Sequence, residues 1–137
     1  MERKTDDISY IIRKAIEARR FSYSPYSGFS VGAAIECVDG SIYTGCNIEN
    51  AAYGPSNCAE RTAVFKAVSE GKKDFKRIAI VGGKTGESTG PTPCGVCRQV
   101  LSEFCGPDLE VIAAKSEEDY SIFTLGDLLP EGFKLQH

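Results

Sequence analysis

Tryptophan is absent from this chain of 137 residues, and methionine and histidine occur once each. No apolar run approaches the roughly 20 residues needed to span a bilayer, and Met1-Glu2-Arg3-Lys4-Thr5-Asp6-Asp7 lacks the apolar core of a secretion signal. A cytoplasmic protein with no membrane partner is therefore expected. A basic excess is lacking too: 16 Lys and Arg stand against 19 Asp and Glu, a net charge of −3, which disfavours a nucleic-acid partner. Apolar residues are not scarce. At 42% they exclude a disordered chain, and this length buries roughly two-thirds of its extended surface. One domain over residues 1–137 is expected. The six cysteines need another explanation, because a reducing compartment leaves metal binding, catalysis or core packing rather than disulfides.

Periodicity places the elements. Ile8, Ile11, Ile12 and Ala15 recur at helical spacing after Asp6 or Asp7 as a cap, and the helix stops before Ser24-Pro25-Tyr26-Ser27-Gly28. Residues 29–38 and 41–47 read as strands joined by a two-residue Asp39-Gly40 turn, with Phe29, Val31, Ala33 and Ile35 on one face. A helix from about Cys58 to Glu70 ends at Gly71. A short strand over 78–82 precedes the loop Gly83–Thr92 and a second helix from about Cys94 to Cys105. Strands at 108–114 and 120–123 are too close for a parallel crossover and should pair antiparallel. Thr124 caps a last short helix through Leu129. The order α-β-β-α-β-α-β-β-α predicts an α/β fold, a three-layer α-β-α sandwich around a five-stranded mixed sheet. Gly83-Lys84-Thr85 is no phosphate-binding loop, because Ile78 occupies the position of the required first glycine.

Cys58, Cys94 and Cys97 all fall in the first turn of an expected helix, and Pro93 supports the second helix entry. Residues i and i+3 share a helix face, so Cys94 and Cys97 can converge on one ion. Helix N-termini stabilise thiolates, and three thiolates with one open position describe a catalytic Zn²⁺ site. Other readings stand beside this one. Cys97 also lies on the apolar stripe with Val100, Leu101 and Phe104, and a lone CxxC also serves as a redox pair or half of a structural zinc site. The only histidine, His137, is the C-terminal residue and a poor ligand candidate. Cys37, Cys46 and Cys105 read as small buried hydrophobes.

Glu60 heads the stripe Glu60, Ala63, Val64, Ala67, Val68, where desolvation would raise its pKa and suit it to move protons beside a metal. Asn57-x-x-Glu60 is equally a capping-box pattern. Three thiolates leave Zn²⁺ with net charge −1, so a cation is needed. Arg61, three residues after Cys58, is placed to offset it, with Arg98 as a second candidate.

Cys58-Ala59-Glu60-Arg61 and Pro93-Cys94-Gly95-Val96-Cys97-Arg98-Gln99 together resemble the zinc-dependent cytidine deaminases, and the likeness runs from Ser24 to Pro130. A cysteine as first ligand resembles the small homotetrameric nucleoside type. The resemblance implies hydrolytic deamination of cytidine and 2′-deoxycytidine, with zinc on Cys58, Cys94 and Cys97 and Glu60 as proton shuttle. It further implies that Phe29 packs on the pyrimidine, that Ala59 gives the base a backbone contact, and that Asn47 and Glu49 hold ribose hydroxyls. Phe133 matches an aromatic that reaches a neighbouring subunit's site. Pro55-Ser56 and a longer 83–92 loop depart from the family pattern. Two alternatives remain: a deaminase of modified cytosine nucleosides or nucleoside antibiotics, and a non-catalytic zinc module for assembly.

Overall fold

Neighbouring residues of one strand explain the layering. Along β1 (Phe29–Cys37), Ala33 and Ile35 point to one side and Ala34 to the other, and all three are fully buried. A sheet with both faces buried needs helices on each. The computed structural model describes the backbone of residues 4–135 and the side chains of 7–135. It places β1 after α1 (Lys4–Arg19) and before β2 (Ile42–Cys46), α2 (Ala59–Ser69) and β3 (Phe75–Lys84). Then come α3 (Gly95–Phe104), β4 (Glu110–Ala114), β5 (Tyr120–Thr124) and α4 (Leu125–Leu128).

The sheet runs β2-β1-β3-β4-β5, with only β3 and β4 parallel. As the short connection requires, β4 and β5 pair antiparallel, Ile112 opposite Ile122. Helix α1 covers one face through Ile11, Ile12 and Ala15, packed on Ala34, Ala79, Val81, Ile112 and Ala114. Helices α2 and α3 cover the other with Ala63, Val64, Ala67 and Leu101 on Ala33, Ile35, Ile78, Ile80 and Val111. This is the expected three-layer sandwich. Among the described residues no helix is long and apolar enough to cross a membrane.

Three local expectations need correction. Helix α1 already runs at Lys4, so Asp6 and Asp7 lie within it instead of capping it. The β1–β2 hairpin has a three-residue connection. Cys37 N–H donates to Ser41 C=O (2.8 Å), Gly40 N–H donates to Cys37 C=O (2.9 Å), and Gly40 takes φ +93°, the left-handed position that closes such loops. Strand β3 is twice the expected length, because β1 pairs with it from Phe75 to Lys84 and compensates for the weak strand propensity of Lys76, Arg77, Gly82 and Gly83.

Two contacts position the functional region. Arg19, at the end of α1, donates Nε to Ser30 Oγ (2.9 Å) and its terminal nitrogen to the carbonyls of Gly83 (3.1 Å), Lys84 (3.2 Å) and Glu87, tying down the start of the β3–α3 loop. Gly45 in β2 lets α2 lie against the strand: a Cβ there would sit 2.6 Å from Ala63 N and 2.7 Å from Ala59 O. Gly45→Ala is expected to lower stability by about 2 kcal/mol or more, since backbone must move to admit the methyl. Urea unfolding checks this, and a midpoint equal to wild type would show that α2 is free to shift.

Candidate functional site

Cys58 and Cys94 occupy the N-cap positions of α2 and α3, one residue before each helix, and Cys97 lies in the first turn of α3. Neither cap side chain accepts a capping hydrogen bond, which leaves both sulfurs available. The Cys58 and Cys94 sulfurs lie 3.7 Å apart, and all three sulfurs fall within 4.8 Å of one another. No other His, Cys, Asp or Glu among the described residues joins this group. Cys37 and Cys105 are buried, the latter inside the α2–α3 core, and Cys46 is half-buried. His137 lies outside the described residues.

Glu60 is 5% exposed on the buried stripe of α2, which comprises Ala59, Glu60, Ala63, Val64 and Ala67. The capping box is not formed: Cys58 is the N-cap, and Asn57 Nδ2 donates to Thr62 Oγ1 (3.1 Å). Burial pushes the Glu60 carboxyl up to about 7. Hydrogen bonding from Cys97, together with Arg61, holds the Cys58 thiol below the usual thiol range, while that same pairing and burial push Cys97 up. Arg61 donates to Cys58 Sγ at 3.3 Å. Burial opposes its charge, but the Cys58 and Cys97 sulfurs outweigh that and hold its pKa above the usual value. Arg98 does not reach the sulfurs. It donates to the carbonyls of Pro93 (2.7 Å) and Leu128 (2.7 Å) and to Thr92 Oγ1 (3.2 Å), which ties the approach to Cys94 onto the end of α4.

A cavity of about 270 Å³ opens beside the sulfurs and collects most of the residues singled out in the sequence. Phe29, Asn47, Glu49, Cys58, Ala59, Glu60 and Cys94 line it, with Ser27, Val31, Ile80, Pro91 and Thr92, which sequence reasoning missed. Asn47 and Glu49 follow the end of β2 and flank Ile48, which bridges to Tyr23 and Asn57. Asn47 Oδ1 accepts from Ser22 Oγ (2.5 Å) and Val31 N–H (2.9 Å), and its Nδ2 donates to Phe29 C=O (2.8 Å), leaving one amide hydrogen free of these contacts. Glu49 accepts from Tyr26 N–H (2.9 Å), Ser27 N–H (3.1 Å) and the Ser27 hydroxyl. Phe133 is not brought to this cavity. It is 66% exposed beside Cys105 and Leu129, its carbonyl accepting from Gln99 Nε2 (2.9 Å).

Residues 5–113 match the model of the cytidine and deoxycytidylate deaminase zinc-binding region. The chain belongs to this deaminase family. A cytidine deaminase of Sporosarcina psychrophila is 48% identical over 128 residues, covering 93% of this chain and 91% of the relative. The crystal structure of cytidine deaminase from Burkholderia pseudomallei matches with a TM-score of 0.81 at 46% identity, over 90% of this chain and 97% of that one. The enzyme from Mycobacterium tuberculosis matches with a TM-score of 0.80 at 40% identity, over 94% of this chain and 98% of its own.

The donor set fits the zinc of this deaminase family. Tetrahedral zinc with Zn–S bonds of about 2.3 Å holds its sulfurs about 3.8 Å apart, and Cys58 and Cys94 already stand at 3.7 Å. Two helix N-termini and Arg61 face the negative charge that three thiolates bring. Arg61→Ala is expected to weaken zinc retention about tenfold or more, read as faster transfer to a chromophoric chelator. Wild-type retention would reduce Arg61 to a packing residue.

Proposed function

We propose that residues 1–137 form one deaminase domain that hydrolyses cytidine and 2′-deoxycytidine to uridine and 2′-deoxyuridine, releasing ammonia. The observation that carries this reading is the buried carboxylate of Glu60 in one cavity with a three-sulfur cluster and the polar pair Asn47 and Glu49. Cys58, Cys94 and Cys97 would hold Zn²⁺, which when bound supplies the Lewis acidity that makes water reactive near neutral pH.

The remaining work falls to this chain's own side chains. Phe29 packs on the pyrimidine and Ala59 meets it through its backbone. Asn47 and Glu49 take ribose hydroxyls, Asn47 with its spare amide hydrogen and Glu49 with its acceptor oxygens. Glu60 accepts a proton from the attacking water and places it on N3, which makes C4 more electrophilic. The water oxygen bonds to C4. Glu60 then carries the second proton from that oxygen to the amino nitrogen, the C4–N bond breaks, and ammonia leaves. A carboxyl pushed up to about 7 is suited to both halves of this shuttle.

Phe133 stands apart from its own chain's cavity and exposes its ring, as a residue completing another copy's site would. That placement supports a homotetramer with shared sites. Six free thiols are in keeping with a cytoplasmic location.

Loss of cytidine absorbance in the ultraviolet tests the reading. Purified protein is expected to consume cytidine and deoxycytidine, and a zinc chelator to stop it. Turnover unaffected by metal removal, or none with metal present, would overturn it. Glu60→Gln is expected to retain zinc and fold while losing at least about a hundredfold in kcat. Activity close to wild type in that variant would remove Glu60 from the proton path.

A further inference from the structure

Both oxygens of the Glu49 carboxylate are engaged before any ligand arrives. Oε1 accepts the consecutive backbone N–H groups of Tyr26 (2.9 Å) and Ser27 (3.1 Å), a small anion-binding concavity, and Oε2 accepts the Ser27 hydroxyl. Ser27 Oγ also accepts from Phe29 N–H at 3.0 Å. A serine hydroxyl has a single hydrogen. Here it goes to Glu49, while the oxygen is engaged by Phe29. One chain of hydrogen bonds thus runs from the backbone of the aromatic wall, through Ser27, to the carboxylate. Phe29, Ser27 and Glu49 all line the same cavity.

This connection decides how freely Glu49 turns. Glu49 follows the end of β2, its backbone held by its own N–H on Tyr23 C=O (2.8 Å) and its carboxylate by the donors just named. The two N–H groups hold one oxygen and leave the carboxylate able to pivot about it. The Ser27 hydroxyl holds the other oxygen and removes the pivot. It is also the largest cause of Glu49 lying below the usual carboxylate range, ahead of the two backbone donors.

We propose that Ser27 is a positioning residue for nucleoside recognition, its hydroxyl fixing the Glu49 carboxylate so that the spare acceptor capacity of Oε2 meets a sugar hydroxyl. The proposal rests on the deaminase reading above and adds to it a residue that acts through Glu49 instead of on the pyrimidine. A pre-set acceptor binds more tightly than one that must be ordered on binding.

The test compares cytidine with 2′,3′-dideoxycytidine, which lacks the 2′ and 3′ hydroxyls, in wild type, Ser27→Ala and Ser27→Thr. In Ser27→Ala the preference for cytidine, as the ratio of the two kcat/KM values, is expected to fall about five- to tenfold, mainly through KM for cytidine. Ser27→Thr keeps the hydroxyl and is expected to keep the preference within about twofold. A ratio unchanged in Ser27→Ala, with both substrates losing alike, would leave Ser27 a purely structural turn residue and overturn the proposal. An equal fall in both variants would overturn it as well, because the hydroxyl would then not be what matters. Failure of wild-type protein to deaminate cytidine is a separate result: it removes the deaminase reading itself, and this role with it.

Discussion

Three sulfurs carried by two helix entrances, 36 positions apart in sequence, must arrive within bonding range of one point. The architecture on one face of the sheet serves that convergence. Cys58 precedes α2 and Cys94 precedes α3, so the unpaired N–H groups of both first turns lie close to the sulfur cluster. The two helices lie on the same face through Ala63, Val64, Ala67 and Leu101, above Ile78, Ile80 and Val111. Gly45 admits α2 close to β2, and the long central strand β3 delivers the chain to the loop before α3. Arg61 couples this geometry to charge, since its guanidinium donates to Cys58 Sγ from the first turn of α2.

Two carboxylates share the cavity in opposite environments. Glu60 is buried, its carboxyl pushed up to about 7, which suits a group proposed to take up and give back protons. Glu49 is half-exposed and held below the usual carboxylate range by Ser27 and by two backbone N–H groups, which suits a permanent acceptor. Distinct duties for one functional group thus follow from burial in one case and donor count in the other.

The sulfur cluster and Glu60 were legible in the sequence because their relations are local to helices. Spacings of two and three residues, a proline before the second helix and a carboxylate on an apolar stripe are all visible along the chain. Both helices start one residue later than the pattern predicts, since cysteine is not a favoured N-cap and Pro93 marks the entry to α3 without fixing its first residue. The cavity wall was not legible in the same way. Ser27 sits in a cluster of turn formers that announces only the end of a helix, yet it acts on Glu49, 22 residues away. Pro91 and Thr92 lie in a glycine-rich loop whose path is set by Arg19 and Arg98 through backbone carbonyls, and carbonyl acceptors carry no sequence signature. Strand β3 was underestimated for a related reason: its ends are held by β1, and pairing across a sheet overrides the propensity of Lys76 or Gly83. By spacing Arg98 is a second candidate beside Arg61 for offsetting the charge of the sulfurs. The fold separates them, because the end of α4 offers Arg98 a carbonyl that a local pattern does not reveal.

The two arginine clamps have a consequence for how this loop can vary. Arg19 fastens its beginning at Gly83, Lys84 and Glu87, and Arg98 fastens its end at Thr92 and Pro93. The position of the wall at Pro91 and Thr92 is then set by the anchors and not by the number of residues strung between them. Closing a longer loop between fixed ends is entropically cheap, with each doubling of length adding only about 0.6 kcal/mol. Thr89 is a third anchor, its N–H (2.8 Å) and its hydroxyl (3.2 Å) both donating to Gly82 C=O, so insertions and deletions can accumulate at the exposed turn around Gly86 with the wall nearly unmoved. This makes the stretch a tolerant place to vary the rim of the pocket without disturbing the sulfurs beneath it.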